Sequence, residues 1–156
     1  MKKHLLILTL LVAVFASCSK DKDNFDPAAQ AVKDEAAIQA YLQANPNITA
    51  TKDANGVYYQ VITEGNGAAI TPTNTLTVNY IGKLLNGSQF DTGAAFTFSM
   101  SGNVIPGWKL GLLHAKEDSR ILLIIPSALA YGNRSPGAGI PANSVLVFTV
   151  DVTDVR

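Results

Sequence analysis

Tyr80, Phe90, Phe96, Trp108, Tyr131 and Phe148 place large rings at intervals along the second half of the chain. Apart from the tyrosine hydroxyls, these rings do no acid–base or covalent work, but together they can wall a dry hollow in which a few polar groups orient a ligand. A β-core is the other use of such side chains. Trp108 and the tyrosines carry polar handles that need a partner when buried. More familiar catalytic sets are missing. The chain has one cysteine, Cys18, and two histidines. A Ser-His-Asp triad would have to use His114, which falls in a predicted helix with no nucleophile elbow beside it. No His/Cys/Asp/Glu group has metal-ligand spacing, so neither a metal nor another cofactor is expected. No G-x-x-x-x-G-K-[ST] loop occurs, and nothing marks a pair of acids for hydrolytic work.

Strands must position most of these rings. Val57 to Ile62 is β-branched or aromatic and bounded by Asn55-Gly56 and Gly65-Asn66-Gly67. Leu76, Val78 and Tyr80 alternate with Thr75, Thr77 and Asn79, which points one face inward. Asn86-Gly87 marks a tight turn. Phe96, Phe98 and Met100 alternate again. Ile121 to Ile125 is continuously apolar, the pattern of a strand buried on both faces. Val145 to Val152 alternates once more. From about Thr51 onward only Pro106 to His114 reads as helix, with Pro106 suited to a first turn. About five strands and one short helix predict an α+β fold, an antiparallel curved sheet wrapped on that helix.

Upstream, Asp26-Pro27 supplies an N-cap carboxylate and a first-turn proline. Ala28 to Ala44 is rich in helix formers, and Asn45-Pro46-Asn47 stops it. Its stripe of Val32, Ile38, Tyr41 and Leu42 is narrow. The segment reads as a helical extension over 27–50 that packs lightly on the main domain, serves as a spacer, or pairs with a second copy. The main domain is expected over 51–156.

The chain is 156 residues long, 47% hydrophobic and 15% charged, which excludes a disordered polyelectrolyte. Twelve Lys and Arg balance twelve Asp and Glu, so no global field recruits nucleic acid. Part of the apolar content is an address. Met1-Lys2-Lys3-His4, the run Leu5 to Phe15 and then Ala16-Ser17 form a signal peptide over 1–17, with an uncleaved anchor as the alternative. The apolar run is too short to span a bilayer, which takes about 20 residues. Cys18 cannot form a disulfide within the molecule.

Taken together, several motifs resemble one family. Val78-Asn79-Tyr80-Ile81-Gly82 with Gly87-Ser88-Gln89-Phe90-Asp91 resembles the V-x-Y-x-G…G-x-x-F-D signature of FKBP-type peptidyl-prolyl cis-trans isomerases. Phe96-Thr97-Phe98, Val104-Ile105-Pro106-Gly107-Trp108, Ile125-Pro126 with Ala130-Tyr131-Gly132, and Ile140-Pro141 through Phe148 are similar to its later segments, in the same order. The resemblance implies a five- to six-stranded antiparallel half-barrel around one short helix. It implies catalytic roles for Tyr80, Phe90, Asp91, Phe96, Ile105, Trp108, Tyr131 and Phe148, and substrate contacts from Val104 and Ile140. Trp108 would be the floor under a proline ring. The Ile105 N–H and the Tyr131 hydroxyl would donate to substrate carbonyls, and Asp91 would sit at the edge near Tyr80. The implied partners are Pro-containing polypeptide segments and macrolide inhibitors. Residues 133–139 carry Arg134, Ser135 and Pro136 where many members have a histidine. That departure motivates an alternative, a binding or chaperone module of the same fold with little or no turnover. A structural lipoprotein with purely core rings is a third reading.

Cys18, directly after Phe15-Ala16-Ser17, resembles a bacterial lipoprotein lipobox, which implies an acylated thiol as the new N-terminus. Residues 18–26 are similar to the polar tether of Bacteroidetes-type outer-membrane lipoproteins, and equally to a plain solvated linker. The resemblance implies a domain anchored at an outer membrane, facing periplasm or cell surface.

Overall fold

The computed structural model describes residues 25–137 and 139–156. The expected signal peptide, the Cys18 lipidation site and most of the tether lie outside them. Helix α1 (Pro27–Ala44) leads into strands β1 (Thr51–Lys52), β2 (Tyr58–Thr63), β3 (Thr75–Leu84) and β4 (Gln89–Ser99). Helix α2 (Pro106–Gly111) and a 3-10 turn at Leu112–His114 precede β5 (Arg120–Ile125). A second 3-10 turn, Ser127–Leu129, and a loop then lead to β6 (Leu146–Val155). The strands form one antiparallel sheet in the order β1-β2-β5-β6-β3-β4. The sequence-based reading of an α+β sheet around one short helix, with a helical extension, holds.

Two layers cover the sheet. On one face, Ile121, Leu123 and Ile125 of β5 join Leu146, Phe148, Val150 and Val152 of β6, Leu76 and Val78 of β3, and Trp108 of α2 in the main core. Alternation sends the intervening residues to the other face. There Leu122, Ile124, Val145 and Val147 meet Ile38 of α1 and Tyr58 of β2 in a second, smaller core. The apolar run of β5 is thus buried on both faces, as its pattern predicts.

Helix α1 is the cover: it packs on the main domain through Ile38 and Asp34, as the first of the expected alternatives has it, and is not a free spacer. Asp26 caps it, accepting from the Ala28 N–H at 2.9 Å and the Ala29 N–H at 3.1 Å. Ile38 is fully buried, whereas Val32, counted in the expected apolar stripe, is 71% exposed. Polar contacts complete the docking. The Glu35 carboxylate accepts from Lys52 Nζ at 2.8 Å, from the Tyr58 hydroxyl at 2.6 Å and from Gln39 Nε2 at 3.0 Å. Lys52 and Tyr58 hold its pKa at about 2, well below the usual carboxylate value. Asp34, 4% exposed, accepts from the backbone N–H of Ser127 at 2.8 Å and from its hydroxyl at 2.7 Å.

The strands that carry the rings are shaped locally. Residues 84–88 make the expected tight turn, with Gly87 at φ 86 and its N–H donating to Leu84 O at 2.9 Å. A register shift between Val78 and Tyr80 lets β4 bulge. Ala95 sits there at φ 51, with its N–H held by the Asn79 side chain at 2.8 Å. Among the described residues no helix is long and apolar enough to cross a membrane.

Candidate active site

Strand β3 delivers Tyr80, β4 delivers Phe90, Asp91 and Phe96, and β6 delivers Phe148. The first turn of α2 brings Trp108 beneath them, with Val104 and Ile105 just before it, and Tyr131 follows the 3-10 turn after β5. Every residue expected to act in catalysis, and Val104 with them, lines a single cleft of about 440 Å³. That is ample for a five-membered ring and the backbone around it.

Trp108 is the hub. Its ring meets Tyr80 edge-on at 5.0 Å between centroids and Phe148 edge-on at 5.3 Å. Phe96 stands off at 6.4 Å, and Phe90 closes on Phe148 at 5.5 Å. Edge-to-face geometry sets the positive rim of one ring against the negative face of the next. Two glycines make room for these rings. A Cβ on Gly82 would lie 2.7 Å from Phe90 and 2.8 Å from Phe148, and one on Gly93 would lie 2.5 Å from the Tyr80 ring.

The polar groups are few and placed. The Tyr80 hydroxyl donates to Asp91 Oδ2 at 2.8 Å, and Asp91 Oδ1 accepts from the Thr92 N–H at 2.8 Å. Burial and the Asp91 contact push the Tyr80 hydroxyl up to about 12. Burial, with the Asp91 charge second, also raises Tyr131. The Ile105 N–H has no hydrogen-bond partner among the described residues, while its carbonyl accepts from Trp108 N at 3.1 Å. Trp108 Nε1 is buried with no hydrogen-bond partner among the described residues.

Ile140 departs from expectation. It is 5% exposed, belongs to the main core and does not line the cleft. Asn103, Pro106 and Ala130 line it unforeseen. Their only signal was adjacency to Val104, Ile105 and Tyr131, because none of the three has side-chain chemistry that marks a site. His114 lies outside the lining, stacked on Tyr59 at 3.8 Å and 3.3 Å from Asp53. The described residues hold no group of three or more His, Cys, Asp or Glu arranged for a metal.

The family model for the FKBP-type peptidyl-prolyl cis-trans isomerase matches residues 67–153, more than half of the chain. The chain belongs to this family. FkpA of Escherichia coli strain K12 is 43% identical to this FKBP over 107 residues, which make up 66% of this chain and 39% of that protein. A probable FKBP-type isomerase of Haemophilus influenzae is 36% identical over 133 residues, 83% of this chain and 54% of the other. The chain therefore spans between two fifths and about half of the length of these curated relatives. The crystal structure of FkpA from Escherichia coli superposes with a TM-score of 0.70 at 36% identity, over 83% of this chain and 62% of that one. A peptidyl-prolyl cis-trans isomerase from Pseudomonas syringae superposes with a TM-score of 0.72 at 25% identity, over 85% and 98%.

Proposed function

We propose that this FKBP catalyses cis-trans isomerisation of X–Pro bonds in Pro-containing polypeptide segments. The observation that carries the reading is the single cleft in which Trp108 forms the floor and Tyr80, Phe96 and Phe148 stand around it. An X–Pro bond rotates over a barrier of about 18–20 kcal/mol because its C–N bond is partly double. Its two planar forms differ by only about 0.5–1 kcal/mol. The catalyst must lower the barrier without choosing a product. At the twisted geometry the nitrogen is no longer conjugated, and the amide carries less charge separation than when planar. A dry aromatic cleft disfavours the planar form more than the twisted one. Seating the pyrrolidine on Trp108 while the preceding carbonyl turns adds orientation. The Ile105 N–H and the Tyr131 hydroxyl hold the flanking carbonyls, and Asp91 fixes the Tyr80 ring through its hydroxyl.

A protease-coupled assay on a short X–Pro peptide tests this. The expected result is a rate above the uncatalysed one, suppressed by a macrolide inhibitor that competes for the same cleft. Burial keeps both tyrosine hydroxyls protonated well past neutrality, so kcat/KM should be flat between about pH 5 and 8. Peptide binding with no acceleration would leave a binding module. A steep titration in that window would place a general acid or base in the reaction.

We further propose that residues 1–17 export the chain and that Cys18 is acylated. Residues 18–26 would then hold the domain over 51–156 near an outer membrane, where exported proteins complete slow proline steps. The support is the order of basic, apolar and small residues before the sole cysteine. Cys18→Ala should move the protein from the membrane to the soluble fraction. Unchanged membrane association would refute the anchor.

A further inference from the structure

Helix α1 reaches the cleft through one buried side chain. Asp34 and Ser127 are 4% and 1% exposed, and 93 residues separate them in sequence. One Asp34 oxygen accepts both Ser127 donors, at 2.8 Å from its N–H and 2.7 Å from its hydroxyl. The other accepts from Gln30 Nε2 at 2.7 Å. Ser127 in turn anchors the turn that presents Tyr131. Its carbonyl accepts from the Ala130 N–H at 3.0 Å and from the Gly132 N–H at 2.8 Å, the residues on either side of Tyr131. Gly132 O then accepts from the Asn143 N–H at 2.8 Å, which closes the loop toward β6. Ala130 and Tyr131 both line the cleft. Every polar group of Ser127 is therefore engaged, its donors by α1 and its carbonyl by the turn.

We infer that Asp34 is a positioning residue for the isomerase cleft, setting the Tyr131 hydroxyl through Ser127. The inference rests on the isomerase reading. It makes α1 part of the active-site scaffold as well as a cover for the second core. A buried carboxylate with both oxygens engaged has few alternative arrangements. Without it, Ser127 would keep two buried donors and no acceptor, and the 127–132 turn could relax by an ångström or so. Such a shift is enough to spoil a hydrogen bond to a substrate carbonyl.

A double-mutant cycle decides it. Asp34→Ala, Tyr131→Phe and the double variant are assayed on an X–Pro peptide at a temperature where circular dichroism shows all of them folded. Each single variant should lower kcat/KM by about three- to tenfold, the worth of one hydrogen bond to a substrate carbonyl. The double variant should lose no more than the worse single one, since both act on the same contact. Asp34→Asn should keep most of the activity, because its amide oxygen can face Ser127 while Gln30 turns its own amide to match. Losses that multiply in the double variant, or wild-type kcat/KM in Asp34→Ala, would overturn the inference. If the wild-type chain itself does not accelerate isomerisation, the proposed function falls instead. The same cycle is then read on affinity for the peptide, followed by the fluorescence of Trp108, the chain's one tryptophan. Coupled losses in affinity would sustain the role of Asp34, and independent ones would end it.

Discussion

Phe148→Ala is expected to cost about 3–5 kcal/mol of stability and, in the molecules that remain folded, at least tenfold in kcat/KM. The two losses have one cause. Phe148 is 4% exposed and sits in the main core, yet the same ring lines the cleft. Its backbone pairs with Gly82 on one side and Leu123 on the other. Its ring meets Trp108 and Phe90 edge-on, at 5.3 and 5.5 Å, contacts worth about 0.5–1.5 kcal/mol each beyond area burial. Removing the ring opens the core and admits water beside the turning carbonyl. Tenfold in rate corresponds to about 1.4 kcal/mol, a modest demand on a wall that keeps the amide dry. A domain of typical stability, about 5–15 kcal/mol, can absorb the truncation and still be assayed. Phe148→Leu separates the effects. It restores most of the apolar volume but forfeits both edge-on ring contacts, so its stability cost should be about 1–3 kcal/mol, less than that of alanine, and it supplies no aromatic wall. Urea midpoints and kcat/KM per folded molecule measure the two. If Phe148→Leu turns over like the wild type, the ring is a packing element only.

What could be read in advance follows from which signals a sequence carries. The rings were legible because each lies in a motif of recognisable order, and the cleft gathers them from β3, β4, α2, β6 and the turn after β5. Ile140 was misplaced because an apolar residue near a closing strand looks the same whether it faces the cleft or the core. The role of α1 was hidden for a different reason. Its docking uses one fully buried isoleucine and two carboxylates, Asp34 and Glu35, and polar docking leaves no mark on hydrophobic periodicity. A second signal pointed at it all the same. If Ile121 to Ile125 is buried on both faces, something must cover Leu122 and Ile124. Helix α2 is committed to the other face, and α1 is the helix left to do it. Demand for a cover in one segment was better evidence than the thin stripe of the segment that supplies it.

Trp108→Leu is expected to give the opposite balance, a large loss of activity for a smaller loss of stability. Trp108 is 4% exposed, and truncating such a ring leaves a void that destabilises. The native residue also carries a burden that leucine lacks, because its Nε1–H is buried with no partner among the described residues. Leaving such a donor unsatisfied costs about 1–3 kcal/mol, and leucine removes that cost. Leucine also refills part of the space against Tyr80, Phe98 and Phe148. The floor for the pyrrolidine is nevertheless gone, and kcat/KM should fall tenfold or more. The split between the kinetic constants should also differ from that of Phe148. A floor touches the proline ring equally in the planar and twisted states, so its loss is uniform binding and shows mainly in KM. A wall beside the rotating bond acts on the twisted state, so Phe148→Leu should show mainly in kcat. Full kinetic curves on the two variants, alongside their unfolding midpoints, read this directly. A Trp108→Leu protein with a lowered midpoint and unchanged kcat/KM would make the indole a core residue, and catalysis would have to be sought outside the ring-lined cleft.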